Sequence, residues 1–198
     1  MTIPTLMANY QKTQYVSQLK KAYTSLNQAL LLYKVNDGED FPSLGEENPW
    51  DFFEARNDKL VKYFQISKNC GYNYEGCWAD TISTVYNNDD ASADFSSTPC
   101  LYAFVLADGI TFLNADNVFY VDVNGANKKP NRLGRDIFEL VYFSSLAKLC
   151  AFGSVGCFPY VHQAWKDDSG NIQHCSPSEP TGSYCSGRIM DESWQMNY

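Results

Sequence analysis

The sequence predicts an α+β protein: a long N-terminal α-helix packed on an antiparallel β-sheet, with disulfide-closed loops. Three observations carry this. A helical apolar stripe runs through the first 33 residues, β-rich runs separated by turn signals occupy 101–123, and six of the seven cysteines fall in near-neighbour pairs.

Val16, Leu19, Tyr23, Leu26, Leu30 and Tyr33 recur at alternating steps of three and four, which makes one stripe on a helix, with Ala22 and Ala29 at its shoulder. These residues are expected to clamp the helix to the rest of the chain. Lys12, Gln18, Lys20, Lys21 and Gln28 take the other faces, and no Gly or Pro interrupts after Pro4. Asn36-Asp37-Gly38 is a stop signal, with Gly available for a left-handed cap. At ~1.5 Å per residue the stretch from Ile3 to Tyr33 is about 45 Å long, longer than a small domain is wide. One end is therefore expected to project or to continue into something.

Residues 36–58 are acidic, and Pro49-Trp50-Asp51-Phe52-Phe53-Glu54 opens a short helix expected to reach Tyr63-Phe64. Its aromatic residues, and Trp78 further on, read as core anchors. Residues 80–99 are polar and loop-like. Leu101–Leu106 and Ile110–Leu113 flank Asp108-Gly109, a hairpin signal that calls for positive φ at both turn positions. Val118–Val123 reads as a third strand, and 137–143 as another strand, with helix as its alternative. The segment 184–195 is expected to be a short terminal helix or a strand.

The 198 residues suit one domain, and 44% hydrophobic content supports an ordinary core. Charged residues are only 19% and aromatic residues 15%, a balance that suits an extracellular surface. A formal charge of −8 without a concentrated basic face argues against sequence-independent nucleic-acid binding. Cys70 with Cys77, Cys150 with Cys157, and Cys175 with Cys185 are the expected disulfides among about 15 connectivities that six cysteines allow. That leaves Cys100 as a free thiol at the start of an apolar strand. Zinc fits poorly, because there is no Cys-x-x-Cys and only His162 and His174 could assist. Disulfides imply a periplasmic or extracellular compartment, and each short bridge contributes about 2–3 kcal/mol.

No nucleophile elbow, metalloprotease helix, P-loop or dinucleotide fingerprint occurs, so the chain is not expected to be an enzyme. His162 and His174 beside Cys157 or Cys175 form a poor nucleophile–base pair. Tyr72, Tyr74 and Trp78, or Tyr160, His162 and Trp165, offer aromatic faces to a sugar or protein, although aromatics near disulfides usually pack against them. Asp122-x-Asn124-Gly125 can cap a turn through its own backbone. Asp122, Asn124 and Asp136 also offer hard oxygen ligands for calcium, the one cofactor under consideration. An EF-hand is excluded, because Lys128 and Lys129 fall where further acidic ligands belong. Lys128, Lys129, Arg132 and Arg135 read as a solvated surface or as a subunit contact matched to the acidic 36–58 segment.

Ile3-Pro4-Thr5-Leu6 leading into an amphipathic helix resembles the type IV pilin and type II secretion pseudopilin superfamily. There, an apolar membrane-spanning segment ends in a similar step and continues as one helix. Asp122-x-Asn124-Gly125, then Pro130-Asn131-x-x-Gly134-x-Asp136-x-Phe138, looks like a segment of bacterial pilin-like proteins, and the closing Cys185-x-Gly187-Arg188-Ile189 … Ser193-Trp194 … Asn197-Tyr198 extends the likeness. Residues 36–99 carry no part of it. The resemblance implies residues 1–35 as the soluble half of a spine helix and 36–198 as a pilin-like head, together one domain. It implies a major or minor pilin, or a pseudopilin, of a filament, with other such subunits as partners. It also implies anchoring in the inner membrane, before assembly, through an apolar segment absent here. Met1-Thr2 reads as an engineered start, and without the membrane half this soluble ectodomain is expected to be monomeric. Some pseudopilins carry structural calcium. A secreted adhesin or carbohydrate-binding module is the alternative.

Overall fold

In the computed structural model, which describes residues 3–38, 41, 49–72, 74–79, 81–85, 101–126, 128–157, 164–178 and 181–198, α1 (Ile3–Asp37) is one helix of 35 residues. Pro4 lies in its first turn, where a missing N–H costs no intrahelical bond. The helix runs past Tyr33 to Asp37, and the Gly38 N–H bonds the Lys34 carbonyl at 3.1 Å. Tyr15, Val16, Leu19, Ala22, Leu26, Ala29, Leu30 and Tyr33 are buried, with Ala22 and Ala29 at 0% exposure. Ala22 and Ala29 thus lie fully inside the seam, on the shoulder of the stripe formed by Leu19, Leu26 and Tyr33. Tyr23 sits at its edge, half-buried, with its hydroxyl donating to the Leu149 carbonyl at 2.9 Å and its ring edge-on to Trp194 at 5.8 Å.

α2 (Pro49–Leu60) follows, extended by a 3₁₀ turn over Val61–Tyr63. Phe53, Leu60 and Val61 join the α1 core. The Arg56 guanidinium lies over the Phe41 and Phe53 rings at 4.7 and 4.8 Å and donates to the Asp116 carbonyl at 2.9 Å.

The sheet is larger than the sequence indicates. Its eight described strands are β1 (Ile66–Gly71), β2 (Ser83–Thr84), β3 (Tyr102–Leu106), β4 (Thr111–Ala115), β5 (Val118–Asp122), β6 (Arg132–Leu133), β7 (Ile137–Phe143) and β8 (Lys148–Ala151). The order is β1-β3-β4-β5-β7-β6-β2, with β8 pairing β7. Pairing is antiparallel except where two-residue β6 meets β7 and β2 in parallel. Residues 137–143 are strand, not helix.

Both faces of the central strands are covered. Tyr102, Phe104, Phe112, Phe119, Val121, Phe138 and Leu140 face the α1 core. Ala103, Leu113 and Ile137 face a second cluster built on Cys77, Trp78 and Ile82. Covering on both sides explains why these strands read as near-continuous apolar runs instead of alternating ones. The β3–β4 hairpin departs from the expected turn. Its loop is three residues long, with the Leu106 N–H bonded to the Ile110 carbonyl at 2.8 Å, and of Asp108 and Gly109 only Gly109 takes positive φ, at 90°. This is the three-residue pattern with Gly in the left-handed position.

α3 (Cys185–Asp191) closes the fold. At Gly187 its backbone touches the turn after β8. A Cβ there would lie 2.1 Å from the Ser154 nitrogen, and the Gly187 N–H bonds the Phe152 carbonyl at 2.9 Å. This contact delivers Ile189 to the main core at 0% exposure. Disulfides join Cys70 to Cys77, Cys150 to Cys157, and Cys175 to Cys185. A long N-terminal helix laid on a mostly antiparallel sheet, with disulfide-closed loops, is a pilin-like architecture. Among the described residues no helix is long and apolar enough to cross a membrane.

Candidate functional site

The loop between β5 and β7 gathers the sequence-selected polar residues and fastens them to α1. At the end of β5, Asp122 Oδ1 accepts the N–H of Asn124 at 3.1 Å and of Gly125 at 2.9 Å, a side-chain-capped turn. Gly125 has φ 90°, and a Cβ on it would lie 2.8 Å from the Gly109 carbonyl oxygen, so the turn seats against the β3–β4 hairpin only with Gly. At the far end, Asp136 accepts the N–H of Asn131 at 2.9 Å and of Arg132 at 2.7 Å. Both aspartates of the loop therefore shape backbone first.

The loop reaches across the sequence to the helix. Asn124 Nδ2 donates to the Tyr15 hydroxyl at 3.3 Å, Gln11 Nε2 donates to the same hydroxyl at 2.8 Å, and Arg135 donates to Gln11 Oε1 at 3.3 Å. The chain end joins in: Lys12 donates to the Tyr198 carbonyl, and the Tyr198 hydroxyl donates to the Gly134 carbonyl at 2.8 Å. Burial, and then the Asp136 carboxylate, push the Tyr15 hydroxyl further above its ordinary range, so it stays a neutral hinge pin between loop and helix. Tyr15 and Gln11 carry no signal in the sequence that ties them to a loop more than 100 residues away.

Calcium can be tested against this geometry. Burial, with the Asp136 carboxylate beside it, pushes the Asp122 carboxyl up to about 7. Asp122 Oδ2, Asn124 Oδ1 and Asn131 Oδ1 are buried and have no hydrogen-bond partner among the described residues. An all-oxygen set around two neighbouring acids is the chemistry that suits a hard cation. These three oxygens, with Asp136, would hold one. The set has two carboxylates, and among the described residues no group of three His, Cys, Asp or Glu converges. A calorimetric titration with calcium that gives neither heat nor a rise in Tm removes the ion from the account.

Lys128 and Lys129 are exposed, while Arg132 and Arg135 are half-buried. Between described residues no ion pair links these four to the 36–58 segment; Asp37 instead faces Lys59 at 3.8 Å and accepts from the Tyr63 hydroxyl at 2.9 Å. Of the aromatic candidates, Trp78 and Trp165 are buried, Tyr72 leans on Phe53 at 5.9 Å, and Trp165 Nε1 donates to Asp191 at 2.8 Å. These tryptophans support the interior and present no open face. His174 stacks on Tyr184 at 4.0 Å beside the Cys175–Cys185 bridge. Cys100, Tyr160 and His162 lie outside the described residues.

A buried acid that the sequence reading passed over is Glu139 on β7. It is 6% exposed, stands opposite Tyr120 on β5, and burial pushes it up to about 7 despite hydrogen bonds to Ser183 and Tyr120. Position within a strand hid it, since its neighbours Phe138 and Leu140 set the apolar reading of that run. Comparison of the chain with protein-family models, curated proteins and solved structures found no match.

Proposed function

We propose that this chain is a structural subunit, a pilin or pseudopilin, of a type IV pilus or type II secretion-like filament, with a structural and not an enzymatic role. The observation that carries this reading is α1 itself. From Tyr15 to Tyr33 it is fastened to the head through buried side chains, whereas residues 4–10 stand exposed on a continuation of the same rod. A helix that outruns its own core by two turns needs a second structure to pack on. The Gln11–Tyr15–Asn124 latch supports the reading, because it fixes the direction in which the rod leaves the head. The three disulfides suit an oxidising, extracytoplasmic compartment. In this reading the precursor is anchored in the inner membrane, the heads form the outer surface of the fibre, and the partners are further copies or related subunits.

The test is immunogold microscopy of the source cell with antibody raised to this chain. Gold following surface or periplasmic filaments is the expected result. Diffuse labelling, with no filament lost on deletion of the gene, overturns the reading.

A further inference from the structure

We infer that residues 181–191 form a proton-operated flap, shut over Glu139 while its carboxyl is neutral and lifted from the sheet when that carboxyl ionises. The inference goes beyond the filament reading and does not depend on it.

The position of Glu139 makes the flap its cover. Its neighbours on β7, Phe138 and Leu140, belong to the α1 core, so the Glu139 side chain points to the opposite face of the sheet. There it meets the stretch that leads into α3. Ser183 hydrogen-bonds the Glu139 carboxyl, and Ser186 Oγ donates to the Glu139 carbonyl at 2.7 Å. One residue of β7 therefore holds the flap on both sides of Cys185. The closure is tight. A Cβ on Gly182 would lie 2.2 Å from the Leu133 carbonyl oxygen, and one on Gly134 would lie 2.9 Å from Cys185 Sγ. At these points flap and sheet leave no room for water to reach a carboxylate beneath.

No charge compensates inside the closed site. The hydrogen-bond partners of the Glu139 carboxyl are Ser183 and, across from it on β5, Tyr120. Burial and Glu139 itself push the Tyr120 phenol further above its ordinary range, so it too is neutral. The charged and titratable groups on the surrounding elements have other partners. Arg188 faces Glu192 and the Cys175 carbonyl, Asp191 takes Ser154 and Trp165, and His174 stacks on Tyr184. Lys148 on β8 reaches the Gly156 carbonyl, Arg135 reaches Gln11, and Asp122 and Asp136 hold loop N–H groups. Neither these nor Arg132 on β6 offset the burial of Glu139. A carboxylate left unpaired in such a place is strongly unfavourable, and lifting the flap relieves it by admitting water. The Cys175–Cys185 disulfide keeps the lifted flap tethered.

The direction with pH follows. Under the closed flap burial raises the carboxyl from 4.5 to about 7, and in the lifted state it returns to its ordinary value. The opening equilibrium therefore grows as pH rises from about 4.5 to about 7, approaching about tenfold per unit, and levels off above that range.

The experiment is amide hydrogen exchange of the 198-residue chain at pH 5 and at pH 7, each rate divided by the intrinsic rate at that pH. At pH 7 the amides of Cys185, Gly187 and Arg188 should be at least about tenfold less protected than those of Phe112 and Leu113 on β4, and their protection should fall at least about tenfold from pH 5 to pH 7. In Glu139→Gln the fall should be less than about twofold. Equal protection of the flap and β4 amides would mean that residues 181–191 open only with the whole fold, and overturns the inference. Flap protection that does not change with pH would mean that opening leaves Glu139 covered, and overturns it as well. Both outcomes are read on the unsubstituted chain, whatever the variant does. A fall of the same size in a folded E139Q would assign the pH response to another group and also overturn the inference.

Discussion

Glu139 shows how a single buried acid shapes the behaviour of the whole chain. Its carboxyl is raised from 4.5 to about 7, so the folded state holds the proton more tightly than the unfolded state does. The stabilisation linked to that proton is fully present below about 4.5 and is lost as pH rises through about 7. Tm is therefore expected to fall between pH 5 and pH 7.5, with a slope approaching about 1.4 kcal/mol per unit for this one proton. Glu139→Gln should flatten that slope and be more stable than the parent at pH 8; a calorimetric series at five pH values checks both. The residue scale is also where reading the sequence had least purchase. Asp122, Asn124 and Gly125 announce a turn, because short polar side chains beside Gly have few other conformational uses. Their partners Tyr15 and Gln11 are contributed by a helix whose own pattern concerns the sheet. Nothing local marks Tyr15 as the hydroxyl that receives Asn124.

At the scale of elements, α1 contributes through a narrow seam, and its two portions should respond differently to truncation. Leu26 is fully buried, so Leu26→Ala is expected to cost about 2–5 kcal/mol. Leu6→Ala, on the exposed stretch, should stay within about 0.5 kcal/mol of the parent. Urea denaturation of the two variants measures the contrast, and equal losses would contradict the seam. The long helix, the Asp108-Gly109 hairpin and the seven-residue β7 were legible because each repeats its signal over many residues or sets it in a rare dipeptide. β1 was not, since its Ser67, Lys68 and Asn69 are exposed on an edge and give no apolar alternation. β2 and β6 are two-residue parallel bridges, which depend on tertiary placement alone. The hairpin was legible as a hairpin but not as a turn type: a third loop residue, Ala107, removes the need for positive φ at Asp108.

For the whole molecule, the basic side of the β5–β7 loop has a role within the proposed filament. Exposed charges contribute only ~0–1 kcal/mol per pair, so in that proposed filament they would set register and partner choice and not supply adhesion. Reversing Lys128, Lys129, Arg132 and Arg135 to Glu is expected to reduce filament number several-fold without moving the circular dichroism spectrum of the subunit. Electron microscopy counts set beside those spectra decide it, and normal fibres from the reversed chain would refute the role. Arg135 is the member to watch in the spectra, because it also reaches Gln11. Reverting it alone separates a subunit contact from the internal latch.

The meeting of Lys12, Tyr23, Trp194 and Tyr198 has a consequence for biogenesis. Residues of α1 are clasped by residues more than 170 positions later, and Gly187 sets the closing helix directly against the backbone near Ser154. The rod is therefore fully seated only once residues 185–198 are in place. Oxidation of the cysteines in an oxidising compartment and capture of the rod by the tail should therefore fall late in folding and together.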